Sequence, residues 1–272
     1  MVNVIFIMAV LLITPLLITR FLEKKVLFYP SKEIGPAPAG KGLEYEDVFF
    51  KAPDGIVLHG WFIPANGAYA TVIYFHGNAG NISHRVEIVR MFNEIKVNFF
   101  IFDYRGFGKS SGSPSEEGTY LDGMAAYKYL VETRGILPES IVLYGKSLGV
   151  AVAVDLASKL KAGVLICESG FTSTQDMARE FYKFIPLWLF VGQKYNSFAK
   201  IRQVHIPILF MHSPKDEIIP FRHSKRMFER ATGPKDLYVM KGGHNDAFYF
   251  HKEETMKRIS VFLNKYLKER RA

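Results

Sequence analysis

The sequence predicts an α/β fold: a mostly parallel, twisted sheet of about eight strands, with helices on both faces and a small helical cap. Three observations predict it. From residue 43 onward, short apolar runs alternate with segments of helical spacing. A Gly-Lys-Ser-Leu-Gly turn at 145–149 joins one such run to one such segment. The chain has 272 residues, 49% hydrophobic and 22% charged, enough to bury one large core.

The first element is apolar from Val4 to Thr19, and Phe21 and Leu22 extend it. With a rise of about 1.5 Å per residue it just spans a hydrocarbon core of about 30 Å. Residues 1–22 are therefore read as an uncleaved, single-pass membrane anchor. A cleaved signal would need a basic start and a small-residue cleavage site. A buried core helix is the other reading, but the stretch comes before the first strand and is apolar on every face. Arg20, Lys24, Lys25 and Lys32 follow the stretch and no Lys or Arg precedes it. The positive-inside rule then places the remaining chain in the cytoplasm. Pro and Gly in "SKEIGPAPAGKG" make 23–42 a linker, and 43–272 the folded domain.

Within the domain, "EDVFFKA" and "VLHGWFI" flank "PDGI" and read as an antiparallel hairpin at one edge. "ATVIYFHG" is a buried strand. "SHRVEIVRMFNEI" is a helix, with Val86, Val89, Met91, Phe92 and Ile95 apolar. "VNFFIFDY" and "GTYLDGMAAYKYLVET" repeat the strand-helix unit, as do "SIVLYG" and "LGVAVAVDLASKL". "AGVLICES", "IPILFMH" and "KDLYVM" complete the strands. "FRHSKRMFERA" and "EETMKRISVFLNKYL" complete the helices. One stretch, about 174–200, breaks the alternation. It is aromatic-rich and Pro186 interrupts it. It is either a packing helix of the core or a cap lining a substrate pocket, and its surplus of bulky apolar residues favours the cap.

Several function classes fall away. Gly-Lys-Ser occurs at 108–110 and 145–147, but a phosphate-binding loop needs a glycine five positions before each of these glycines. Those positions hold Asp103 and Ser140. No nucleotide is expected as a partner. The net charge is +9, yet the basic residues are scattered apart from "KERRA". No nucleic-acid module is present, so the charge is assigned to a membrane surface or to solubility. Cys167 is the one cysteine, which rules out an internal disulfide. Its apolar strand makes it a small buried hydrophobe.

The turn at 145–149 fits a Gly-x-Ser-x-Gly nucleophile elbow between strand and helix. Ser147 is the candidate nucleophile, and it needs a base to take its proton. His244 follows the last strand, with Gly242 and Gly243 giving its loop reach. Asp216, after the penultimate strand, would hold the imidazole tautomer. Glu168, after the earlier strand, is the alternative acid. Asp246 lies too close to His244 for that role and is read as a helix N-cap. His205, His212, His223 and His251 lack a matching context. Backbone N–H groups of Asn78 and Leu148 would bind an oxyanion, with His76 and Gly77 shaping the turn. Tyr104 and Arg105 either border the pocket or are structural.

"HGNAGN", "DYRGFGKSSG", "GKSLG", "ESGFTS", "HSPKDEIIP" and "GGHND" together resemble the α/β-hydrolase superfamily. The likeness runs from about Phe28 to the C-terminus. It is greatest to the membrane-anchored α/β-hydrolase domain-containing branch, which includes depalmitoylases and lysophospholipid lipases. Other members are serine aminopeptidase-like or dienelactone-hydrolase-like. The resemblance implies the α/β-hydrolase fold and a serine hydrolase acting on an acyl ester or thioester. It implies no cofactor and no metal. A peptidase or amidase with the same triad is the alternative, as is a non-catalytic, membrane-tethered binding protein.

Overall fold

Burial on both faces dictates the apolar strand sequences. The computed structural model describes residues 23–268. In it β4 (Ala70–Phe75) has every side chain buried. So do β8 (Val164–Glu168) and β9 (Ile208–His212), and all of β7 (Ile141–Lys146) except its last residue. Such strands show no polar alternation because helices cover both sides. By contrast β2 (Glu46–Lys51) alternates exposed and buried over its second half. It is the edge.

The main sheet has eight strands in the order β10, β9, β8, β7, β4, β6, β3, β2, where β3 is Val57–Ile63, β6 is Val97–Asp103 and β10 is Lys235–Val239. The hairpin β2–β3 and the pair β3–β6 are antiparallel; every other neighbour is parallel. This is the predicted sheet with its predicted antiparallel edge. A separate two-residue parallel pair joins β1 (Tyr29–Pro30) to β5 (Ala79–Gly80).

The period of two in each strand separates the core into two layers. Ile73, Phe75, Leu143, Leu165 and Phe210 face α2 (Glu116–Lys128) and α3 (Leu148–Ala157). Tyr74, Tyr144, Ile166 and Met211 face the other way, toward α1 (Val86–Glu94) and α6 (Lys252–Leu263). Every residue of α3 is buried, which is why "LGVAVAVDLA" is apolar all round. Its one charge, Asp155, meets Lys159 at 2.7 Å and Lys200 at 2.8 Å.

Two further stretches bear on the site. Residues 23–27 are helical and lead directly into β1, so the stretch expected as a linker carries ordered elements. Between β8 and β9 lies α4 (Thr174–Phe181), which has no buried residue, then the turn Leu187–Leu189 and the short helix Ser197–Lys200. A fifth helix, α5 (Arg222–Arg230), joins β9 to β10. Among the described residues no helix is long and apolar enough to cross a membrane. The anchor expected over 1–22 lies outside them.

The closest approach in this core is α3 to β4. A side chain on Gly149 would overlap the carbonyl of Phe75, and one on Gly145 would overlap Gly149 itself. Gly149→Ala is expected to destabilise the fold by about 1–3 kcal/mol or more. The check is a lower urea midpoint with an unchanged slope. An unchanged midpoint would mean that α3 can lift off β4 freely.

Candidate active site

β7 ends at Lys146 and α3 starts at Leu148, so the chain must reverse through Ser147 alone. Its φ of 54° and ψ of −119° are unfavourable for a residue with a Cβ. Such strain costs on the order of 1–3 kcal/mol and persists only where the surroundings impose it. Here Ser147 N–H donates to Glu168 O at 2.8 Å, and Ser147 O accepts from Val150 N–H at 3.0 Å. The result lifts the hydroxyl out of the sheet's end.

His244 lies 28 residues beyond Asp216, yet the two meet, with Nδ1 2.7 Å from Asp216 Oδ2. Its Nε2 lies 3.1 Å from Ser147 Oγ. A carboxylate can only accept, so Nδ1 carries the proton and Nε2 is free to accept from the serine. The loop is pinned twice: His244 N–H donates to Glu217 Oε2 at 3.0 Å, and Ser213 Oγ donates to Gly242 O at 2.5 Å. Gly242 has a φ of 101°, a conformation that favours glycine.

Asp216 is saturated. Oδ1 accepts from the N–H groups of Ile218 and Ile219 at 2.9 and 2.7 Å. Oδ2 faces His244 and also His212 Nε2, at 3.0 Å. Burial alone would raise its pKa. Hydrogen bonds from His212 and His244, the electrostatic attraction of the His244 ring and the Ile219 N–H outweigh it and hold Asp216 well below the usual carboxylate range. His212 was not anticipated. Its Nδ1 lies 2.7 Å from Ser224 Oγ, and Nε2 faces only acceptors, Asp216 and Ile219 O. Nε2 is therefore the protonated nitrogen. The available signal was its place, at the end of a strand and four residues before the acid.

Glu168, the alternative acid, is engaged elsewhere. Its carboxylate meets Lys146 Nζ at 2.9 Å and accepts from Tyr144 Oη at 2.5 Å. Lys146, which motif matching leaves arbitrary, thus neutralises a buried charge beside Ser147. Asp246 does precede a helical turn, Ala247–Phe250, but its side chain caps no N–H of that turn. It turns back to accept from Gly243 N–H at 2.5 Å, so it braces the His244 loop instead.

Asn78 and Leu148 line the same cavity as Ser147. Neither backbone N–H has a protein acceptor among the described residues. The Asn78 side chain is tied down: Nδ2 donates to Leu27 O at 3.0 Å, while Asn78 O accepts from Tyr29 N–H at 2.8 Å. His76 is buried and neutral, its Nδ1–H donating to Gly77 O at 2.7 Å. Burial lowers its pKa to about 4 despite the nearby Asp103 carboxylate. Tyr104 Oη donates to His76 O at 3.2 Å, and Arg105 pairs with Asp122 and Asp54. Neither lines the cavity, and both are structural. Cys167 is fully buried, and burial pushes its thiol pKa up. At the other Gly-Lys-Ser, Ser110 Oγ donates to Asp103 O and accepts from His59 N–H. That turn ties two strands together.

The cavity at Ser147 has a volume of about 770 Å³. Leu27, Phe171, Met177, Phe181, Leu187 and Val191 supply much of its apolar wall. Residues of 23–29 and 174–191 therefore close over the serine. Glu23 joins the two stretches, accepting from Gln193 N–H at 2.7 Å and Gly192 N–H at 3.1 Å.

Residues 67–197 match the family described as serine aminopeptidase, S33. The chain is 33% identical over 276 residues to the alpha/beta hydrolase domain-containing protein WAV2 of Arabidopsis thaliana, covering 92% of this chain and 90% of that one. It belongs to the α/β-hydrolase family. This α/β-hydrolase is also 37% identical over 258 residues to protein bem46 of Schizosaccharomyces pombe, with 88% and 86% covered. The fold agrees with the esterase Pf2001 of Pyrococcus furiosus, with a TM-score of 0.75 and 24% identity over 88% of this chain and 99% of that one. Membership makes the protein a hydrolase.

Two predictions concern the buried histidines of this hydrolase. His76 and His223 both titrate near pH 4 in the fold, chiefly because burial disfavours their charged forms. An unfolded histidine titrates near about 6.5, so the unfolded chain binds more protons between these values. Stability is then full above about pH 6.5 and falls as acid is added through the window. Urea midpoints are expected to drop between about pH 7 and 4.5. A flat profile would mean that these rings are charged in the fold. Separately, His212→Phe removes a donor from buried Asp216 and the acceptor of Ser224. A loss of about 1–3 kcal/mol in unfolding free energy is expected.

Proposed function

We propose that this α/β-hydrolase cleaves carboxylic ester or thioester bonds of acyl substrates through an acyl-enzyme on Ser147. It works at the cytoplasmic face of a membrane to which residues 1–22 tether it. The observation that carries the reading is the unbroken relay from Ser147 Oγ through His244 to Asp216, opening into an apolar cavity.

The steps follow from the tautomer. Ser147 Oγ attacks the carbonyl carbon while His244 Nε2 takes the hydroxyl proton. The resulting imidazolium is stabilised by Asp216, whose depressed pKa keeps it ionised. The tetrahedral oxyanion is met by the N–H groups of Asn78 and Leu148, which no group among the described residues occupies. Collapse breaks the bond to the leaving alcohol or thiol, which receives the proton from Nε2. Water then attacks the acyl-serine with Nε2 as base, releasing the acid and the free enzyme. The apolar wall suits an acyl chain, and 174–200 acts as the cap over it.

An amidase reading draws on the serine aminopeptidase family match. A peptide amino terminus would require an acidic group, and Glu23 is the acid lining the cavity. Its oxygens are committed to Gly192 and Gln193, which favours the ester reading.

A fluorophosphonate probe should label the wild type and leave Ser147→Ala unlabelled; equal labelling of both ends this mechanism. On a panel of nitrophenyl esters, acyl thioesters and aminoacyl amides, Ser147→Ala and His244→Ala are expected to lose on the order of 10⁴-fold or more in kcat. Asp216→Asn should lose on the order of 10³–10⁴-fold. Turnover should rise with acyl length on the esters and thioesters. Faster turnover of the aminoacyl amides would favour the amidase.

A further inference from the structure

The rim of the cavity is made of exposed apolar side chains. Val26, Tyr29, Phe181, Tyr182 and Ile218 all line the cavity and are all exposed. The chain then continues from Phe181 through Phe184, which is 98% exposed, to Leu189, at 68%. Ile185 between them is exposed as well. Isolated exposed apolar residues need no explanation, but a run of bulky ones around a single opening does. In water this run costs free energy, and packing inward would cover it. α4 ends at Phe181 and a turn follows, with Pro186 barring a helix that runs on through it, so the side chains stand out from a turn instead of being folded under a helix.

One fact in the fold indicates what covers this rim. The apolar stretch 1–22 ends at Glu23, and Glu23 is bonded to Gly192 and Gln193, at the far end of the exposed run. Residues 23–29 are themselves part of the rim. A bilayer that receives the apolar stretch is thereby brought next to this rim. Exposed Lys24 and Lys183 stand beside the apolar residues, as headgroup contacts require.

We propose that the rim formed by 23–29 and 181–189 is a lipid-docking face. It dips apolar side chains among the acyl chains and opens the cavity directly into the bilayer. Substrate then enters from the membrane without crossing water. The access route rests on the acyl-substrate reading above; the docking itself does not.

The test uses the full chain in phosphatidylcholine vesicles. Cys167 is fully buried, so a thiol label goes to an introduced cysteine. Phe184→Cys carries a polarity-sensitive fluorophore at the rim. Leu137→Cys carries it just before β7, at the end of the sheet opposite Ser147, where Leu137 is also exposed. The 184 label is expected to shift to the blue and lose quenching by aqueous iodide, while the 137 label stays water-like. A water-like 184 label on vesicle-bound protein overturns the proposal. So does protection that vanishes at one chain per vesicle, which would assign the face to a second copy. With Phe184→Asp and Leu189→Asp combined, hydrolysis of a long-chain ester held in vesicles should fall several-fold. Fluorophosphonate labelling of Ser147 should be unchanged. Equal hydrolysis overturns the access route. A protected 184 label on a chain whose Ser147 does not react would sustain the docking face and remove only the serine mechanism.

Discussion

The structure depends on a one-residue reversal. β7 and α3 are both buried, and they are joined through Ser147 with no intervening loop. Only a positive φ permits it, and a serine there is strained. The strain is sustained because both flanking elements are fixed by burial on all sides. Gly145 and Gly149 are the consequence: at such a sharp turn, helix and strand backbones come so close that side chains at either position would overlap main-chain atoms. The hydroxyl presented to the cavity at the sheet's end is therefore a product of packing, obtained before any partner is considered.

The partners are likewise products of strand ends. β9 delivers His212 and Asp216, and β10, the edge strand beside it, is followed by His244. Asp216 uses both oxygens, two backbone amides on one and two imidazoles on the other. A carboxylate so surrounded cannot rotate or take a proton near neutral pH. Its orientation determines the tautomer of His244, and that tautomer leaves Nε2 able to accept from Ser147. Glu217, Ser213 and Asp246 hold the loop from three other sides. The relay is thus a rigid assembly of loops, each tied by short side-chain to main-chain bonds.

Legibility in the sequence followed the range of the interactions. The alternation of strands and helices was readable because burial on two faces leaves a local signature, continuous apolar runs in strands and spaced ones in helices. Ser147, Asp216 and His244 were readable because each follows a strand, and strand ends converge in a parallel sheet. His212, Lys146 and Arg85 were not, because their roles are set by what lies across the fold. His212 became meaningful only with Asp216 curling back over it. Lys146 became so with Glu168 beneath it. Arg85, which lines the cavity, reaches the carbonyl of Ala79 at 3.1 Å across a turn that periodicity does not describe. Asp246 shows the opposite failure: the position beside a helical turn was right, and a competing amide three residues earlier took the side chain.

The stretch 23–31 carries the most information that local composition concealed. Its Pro and Gly neighbours suggested a passive tether, yet it contributes a strand to β5 and a wall to the cavity. Tyr29 N–H and Leu27 O bind the main chain and side chain of Asn78, so the turn that faces Ser147 is held from its outer side by this strap. Ser31 N–H adds a bond to Gly80 O just beyond. At its other end Glu23 holds Gly192 and Gln193. The strap therefore connects, in nine residues, the end of the apolar N-terminal stretch, the proposed cap and the proposed oxyanion turn. Each connection is a main-chain bond or a bond to main chain, so it constrains position and not merely proximity. The strap meets Asn78 through two hydrogen bonds, so the position of 27–29 and that of the Asn78 turn are fixed together.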